Sequence, residues 1–171
     1  QYLYQYHTTP ITKMANQTPK ELTDYITQLS NLKLIEQKFS EIREDLTEGN
    51  YKTALLRENC HKNAFPNVLA VESSRVKLND VYVNANHILD KYIATQGPIP
   101  TAYSDFWQLI SEKKVGLIVN LTDNNDYISE VNRITTRYTI KMQMINSTNF
   151  YQHRKLVIVN NTNETIHTVT H

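Results

Sequence analysis

Lys91-Tyr-Ile-Ala-Thr-Gln-Gly-Pro-Ile-Pro-Thr-Ala-Tyr-Ser-Asp-Phe-Trp-Gln-Leu-Ile110 is the stretch of this 171-residue sequence that decides how the rest is read. Tyr92, Ile93 and Thr95 are the aromatic and β-branched residues of a short strand, and Gly97-Pro98 breaks it. Thr101 stands where an N-cap belongs. Tyr103, Phe106, Trp107 and Ile110 then recur at spacings of three and four, which predicts a helix over 102–113 with Trp107 inside. Gly116-Leu-Ile-Val-Asn-Leu121 follows as a continuous apolar run, the pattern of a strand buried on both faces.

Downstream, Asp123 to Asp126 is a polar loop. Residues 138–145 alternate, with Tyr138, Ile140, Met142 and Met144 on one side, as in a half-buried strand. Further strands at 153–159 and 164–171, joined by a turn at Asn160 to Asn163, complete an antiparallel meander. Upstream, strands are predicted at 75–78 and 81–88, and 51–69 is a long irregular loop of the kind that usually serves function. Thr18-Pro19-Lys20-Glu21 has the cap, proline and glutamate of a helix start, so helices are predicted at 19–30 and 33–46, the second presenting Ile35, Phe39, Ile42 and Leu46. Residues 1–14 read as a flexible tail. The order of elements, helices first and then a mixed sheet, predicts one α/β (α+β) domain over 15–171.

The composition, 40% apolar and 20% charged, is that of a globular chain and not of a disordered one. A net charge of +1 gives no footprint for nucleic acid or a membrane surface. No apolar run reaches the roughly 18 residues of a spanning helix. The single cysteine, Cys60, excludes an internal disulfide and suits a reducing compartment. Five N-x-S/T triplets, at Asn16, Asn120, Asn146, Asn160 and Asn163, are read as composition and not as glycosylation, since this many Asn, Ser and Thr yield roughly three by chance. The histidines lack the tight spacing of metal ligands, and no metal or cofactor is expected. The start at Gln1 and the end at His171, inside a predicted strand, are read as cut ends.

Six blocks, taken together, resemble those of protein-tyrosine phosphatases. Lys62-Asn-Ala-Phe-Pro-Asn-Val68 is similar to the phosphotyrosine-recognition loop K-N-R-Y-x-D/N-V, and Ser74-Arg-Val-Lys-Leu78 to the S/T-R-V-x-L after it. Tyr82-Val-Asn-Ala-Asn86 resembles Y-I-N-A-S/N, and Tyr92 to Pro98 is Y-I-A-T-Q-G-P without a change. Phe106-Trp-Gln-Leu-Ile110 resembles F-W-x-M-I, and Leu117 to Thr122 resembles I-V-M-L-T. The order and spacing are nearly the family's. The resemblance covers about 15–171 and implies the N-terminal part of such a domain, its leading helix similar to that of receptor-type members.

The resemblance implies hydrolysis of phosphotyrosine in proteins through a cysteinyl-phosphate intermediate. In the family, a thiolate on the loop H-C-x-x-G-x-x-R attacks phosphorus while an aspartate on a W-P-D loop protonates the leaving phenol. Neither motif occurs in the 171 residues. A C-x5-R loop begun at Cys60 would need arginine where Pro66 stands, and Cys60 is read as a semi-buried bystander. The chain is therefore expected to be inactive as written, with no catalytic residue of its own. By resemblance, Phe65 replaces the tyrosine that walls the phosphotyrosine slot, and Asn67 replaces the residue that grips the substrate backbone. The family's K-C-x-x-Y-W-P block is absent, and Asp126 to Arg133 stands in its place. The alternative is a pseudophosphatase module that binds phosphoproteins or regulates a phosphatase. The implied partners are a phosphotyrosine-containing protein or peptide and a chain that supplies the missing half; nucleic acid is not among them. The implied setting is the cytoplasm, including the intracellular part of a receptor-type protein.

Overall fold

The computed structural model describes residues 49–123, 125–128, 133–149 and 151–171, together with Asp24, Thr27, Lys33, Ile35, Glu36 and Gln37, which are helical. The remaining parts of the helices expected at 19–30 and 33–46, and the tail, lie outside the described residues. The chain divides into two units, Tyr2–Asn50 and Tyr51–His171. In the second unit the element order is a short helix α1 (Arg57–Cys60), strands β1 (Ala85–Ile88) and β2 (Tyr92–Thr95), helix α2 (Tyr103–Glu112), and strands β3 (Arg133–Ile134), β4 (Tyr138–Ser147), β5 (Gln152–Asn160) and β6 (Ile166–Thr170). Among the described residues no helix is long and apolar enough to cross a membrane.

Strands β1 and β2 form an antiparallel hairpin in which Ala85 faces Thr95 and Ile88 faces Tyr92. Its turn is closed by Lys91 N–H donating to Ile88 O at 3.3 Å, and its two central residues, Leu89 and Asp90, both have φ of 52°. Positive φ at both positions is the type I′ geometry that matches strand twist. The strand expected at 75–78 is reduced to one bridge, Arg75 to Asn86. The loop expected at 51–69 contains α1, whose single turn directs Asn59 inward and leaves Cys60 exposed, so Cys60 is not the semi-buried residue its apolar character suggested.

Helix α2 follows a 3-10 turn at Pro100–Ala102, so the helix begins one residue later than expected. Thr101 caps nothing; its hydroxyl donates to His61 O at 2.8 Å instead. Helix α2 packs against the meander β3-β4-β5-β6, every pair of which is antiparallel. Alternation along the strands turns Tyr138, Ile140, Leu156, Ile158 and Val169 inward against Tyr103, Phe106, Trp107 and Ile110. Met142 also packs on this core, but Met144 is exposed, and the β4–β5 register shifts just beyond it, between Met144 and Asn146. Trp107 is completely buried, with Phe106 edge-on at 5.0 Å between ring centroids.

The segment 116–121 departs from expectation. It carries one parallel bridge, Leu117 to Thr170 of β6, which makes the sheet mixed, and Ile118 packs on the core. Leu117, Val119 and Leu121 are 59%, 66% and 89% exposed. The apolar run led to an expectation of burial on both faces that the exposure of these three residues contradicts. Within the described residues only the Ile118 face finds a cover, and the strand stands at an open edge instead of the centre of a sheet.

Candidate functional site, a framed loop with an exposed tip

Residues 61–71 have no strand or helix of their own, so their backbone groups need partners from elsewhere. The hairpin supplies them through side-chain amides. Gln96, only 8% exposed, accepts from Ala64 N–H at 2.9 Å through Oε1 and donates to Lys62 O at 2.7 Å through Nε2. Asn84 Nδ2 donates to Val68 O at 2.7 Å and to Gln96 Oε1 at 3.2 Å. Asn63 donates to Ala54 O at 3.2 Å and accepts from the Tyr82 hydroxyl at 2.8 Å. Burial of that phenol pushes its pKa up to about 12, so it remains a donor at neutral pH. Lys62 meets the Asp105 carboxylate of α2 at 2.7 Å.

The next segment is fixed in the same way. Asn86 Nδ2 donates to Val71 O and to Ser74 Oγ, both at 2.9 Å, and His87 N–H donates to Ser74 O at 2.7 Å. Glu72 accepts from Arg75 at 3.0 Å and from Thr53 N–H at 3.2 Å. Those bonds, that from Arg75 foremost, hold its carboxyl down at about 2.

Between these anchors the tip is left exposed among the described residues. Phe65 is 43% exposed and Pro66 and Asn67 are exposed, in a turn closed by Val68 N–H to Phe65 O at 3.4 Å. A ring and an amide held out on a rigid base can stack against an aromatic ligand and exchange hydrogen bonds with a peptide backbone. Phe65 and Asn67 thus lie together at this tip, and Cys60 lies on α1, its thiol 3.6 Å from Leu55 O. The sequence reading missed the frame residues Gln96, Asn84 and Asn63; their presence as polar residues inside otherwise apolar blocks was the available signal.

A second polar cluster was also missed. Tyr127 fills the core beside Phe106, at 5.3 Å between ring centroids, and its hydroxyl lies 2.9 Å from His171 Nε2. Arg154 Nη1 lies 3.2 Å from His171 Nδ1 and donates to Asn125 Oδ1 at 3.2 Å. A guanidinium can only donate, so Nδ1 accepts and the imidazole carries its proton on Nε2, toward Tyr127. Burial, with the Arg154 charge second, lowers the His171 pKa from 6.5 to about 4; burial pushes the Tyr127 phenol up to about 12. The segment that departs from the family's sequence therefore still delivers an aromatic residue to the core.

The family model described as protein-tyrosine phosphatase matches residues 59–171, more than half of the chain. This chain belongs to the protein-tyrosine phosphatase family. Among curated phosphatases it is similar to receptor-type tyrosine-protein phosphatase F of Homo sapiens, 33% identical over 64% of this chain and 7% of that one. It is also similar to receptor-type tyrosine-protein phosphatase eta of Homo sapiens, 42% identical over 49% and 7%. Tyrosine-protein phosphatase non-receptor type 21 of Rattus norvegicus is 32% identical over 60% and 11%. The fold matches a solved structure titled "Structural basis of PTPN18 fingerprint on distinct HER2 tyrosine phosphorylation sites", with a TM-score of 0.61 and 25% identity. The match covers 71% of this phosphatase-family chain and 50% of that structure's chain. The chain thus spans about a tenth or less of the length of these curated relatives.

Proposed function

We propose that this chain is a phosphotyrosine-recognition part of a phosphatase domain, with Phe65 as the wall of the slot and Asn67 as the clamp on the ligand backbone. The observation that carries the reading is the contrast within one loop: a base held by Gln96, Asn84, Asn63 and Lys62, and a bare tip bearing an aromatic ring and an amide. Such preorganisation means that ligand binding does not have to order the loop. The ligand is a phosphotyrosine-containing protein or peptide.

In the same reading the 171 residues alone do not turn over substrate, because they contain neither a cysteine loop nor a W-P-D aspartate. A polypeptide that supplies the remaining half of the domain, with H-C-x-x-G-x-x-R, is the partner needed for turnover. Its thiolate attacks phosphorus, the P–O bond to the phenol breaks, and water then releases phosphate from the cysteinyl-phosphate. The cytoplasm, including the intracellular part of a receptor-type protein, is the setting that fits such substrates.

The test is a titration of the chain with a phosphotyrosine peptide and its unphosphorylated twin. Phe65→Ala weakens the phosphopeptide by about a kcal/mol, roughly five-fold in Kd, from lost ring contact and area. Unchanged affinity in both Phe65→Ala and Asn67→Ala removes the tip from the site. Hydrolysis of a small aryl phosphate that disappears in Cys60→Ser refutes the inert reading and makes Cys60 the nucleophile.

A further inference from the structure

The tip of the loop is a turn whose closing bond is weak. Ala64 N–H is held by Gln96 Oε1 and Val68 O by Asn84 Nδ2, so both ends of the span from Phe65 to Asn67 are anchored. Within the span, Val68 N–H donates to Phe65 O at 3.4 Å, against about 2.7–3.2 Å for an ordinary N–H···O bond. Pro66 stands at the second position of this four-residue turn and Asn67 at the third. Asn67 does not take positive φ, which excludes type II and fits type I, a turn that favours proline at its second position. The pyrrolidine ring holds φ of Pro66 at about −65°. It also crowds the backbone of the residue before it, so Phe65 is pushed out of the helical region toward extended geometry. A single covalent ring thus restricts two of the three tip residues, where the long hydrogen bond restrains them little.

We propose that Pro66 is a positioning residue for recognition: it sets the turn that spaces the Phe65 ring and the Asn67 amide before any ligand arrives. The inference rests on the reading of those two residues as wall and clamp. Phe65 and Asn67 occupy the first and third positions of one turn, so the torsions of Pro66 fix how far apart the ring and the amide start. Pro66 is exposed and has no N–H, so it has no hydrogen bond of its own to give up in the turn. Its position is the one that the motif K-N-R-Y-x-D/N-V leaves open. Without the ring, a ligand that needs wall and clamp together has to remove the freedom of 65–67 itself, and its affinity drops by that amount. Alanine at 66 restores that freedom without cutting away the core. The factor is about two- to five-fold in an equilibrium constant, the usual effect of exchanging proline for a residue of ordinary freedom at a compatible position. Glycine at 66 frees the chain further and has the larger effect.

Two measurements on the 171-residue chain test this, one without ligand and one with a phosphotyrosine peptide. In the free chain, NMR order parameters of the Asn67 and Val68 amides are expected near the rigid value of about 0.85, and Pro66→Ala lowers them toward about 0.6 while far-UV circular dichroism is retained. Saturating phosphotyrosine peptide restores them. In titrations with the same peptide, Pro66→Ala weakens binding about two- to five-fold and Pro66→Gly more. In the Phe65→Ala, Asn67→Ala double variant, adding Pro66→Ala changes affinity no further, because nothing is left to position. A tip that is already flexible in the parent chain, or order parameters unmoved by Pro66→Ala, overturns the proposal. So does a Pro66→Ala loss that persists undiminished in the double variant, since the proline then touches the ligand itself. Affinity unchanged by Phe65→Ala and by Asn67→Ala is a different failure. It removes the recognition reading, and the role of Pro66 in binding with it, even where the order parameters behave as expected.

Discussion

Gln96→Ala is the sharpest test of the idea that the loop at 61–71 is held in place from the hairpin outward. The substitution removes three hydrogen bonds at once: from Ala64 N–H, from Asn84 Nδ2 and to Lys62 O. It also leaves the Ala64 donor and the Lys62 carbonyl without their partner in a part-buried place. A net hydrogen bond contributes about 0.5–1.5 kcal/mol, and an orphaned buried group costs about 1–3 kcal/mol. Asn84 keeps its bond to Val68 O, so its loss is partial. The expected destabilisation is about 3 kcal/mol, a large share of the roughly 5–15 kcal/mol of a small domain. Trp107 is the one tryptophan and is fully buried, so urea unfolding followed by its emission gives the midpoint. Hydrogen exchange at the Ala64 amide gives the local effect, which should exceed that at β5. Gln96→Glu separates the two halves of the amide: it keeps the acceptor for Ala64 and loses the donor to Lys62. A loss below about 1 kcal/mol in Gln96→Ala, with Ala64 exchange unchanged, would refute the frame as the cause of the loop's position.

Trp107→Ala empties the centre of the α2–sheet core and is expected to cost about 3–5 kcal/mol by urea titration. Trp107→Phe should cost far less, because Trp107 Nε1 has no hydrogen-bond partner among the described residues and no bond is lost. Stability should also depend on acid through His171. Its folded pKa of about 4 lies below its ordinary 6.5, so the unfolded chain binds the proton first as pH falls. The contribution is complete above about 6.5 and is lost as pH drops toward 4, on the order of 1 kcal/mol after allowance for partial exposure. His171→Gln should flatten that part of the stability–pH curve, and a curve identical to the parent's would show that the tie to Arg154 and Tyr127 is not felt. Glu72, held at about 2, adds a loss in the same direction only below its ordinary 4.5. Thermal midpoints taken across this range for Arg75→Ala should lose that lower step.

Elements made by a repeating local pattern were legible in the sequence. Helix α2 and the meander announce themselves because their burial alternates at 3.6 and 2 residues, and Trp107 and Leu156 are inside as their phase requires. Edge position was not legible. The run from Leu117 to Leu121 records what the segment can be covered by, and says nothing of whether a neighbour is there. The frame of the candidate site was hidden for another reason. Side chains such as Gln96 and Asn63 satisfy backbone groups 32 to 34 and 9 residues away, respectively, and no periodicity encodes such pairings. Phe65 and Asn67 were found by resemblance to a motif; their exposure at a tip came only from the fold.

The tight turn between β1 and β2 places two ordinary residues, Leu89 and Asp90, at φ of 52°, while the whole chain contains only three glycines. A leucine held there costs about 1–2 kcal/mol relative to a residue free to adopt the left-handed region. The chain therefore has unspent thermal headroom at a place remote from Phe65 in sequence. An Asn-Gly pair at this turn would raise the melting temperature without altering Phe65 or Asn67, and so make a sturdier sample for the binding measurements.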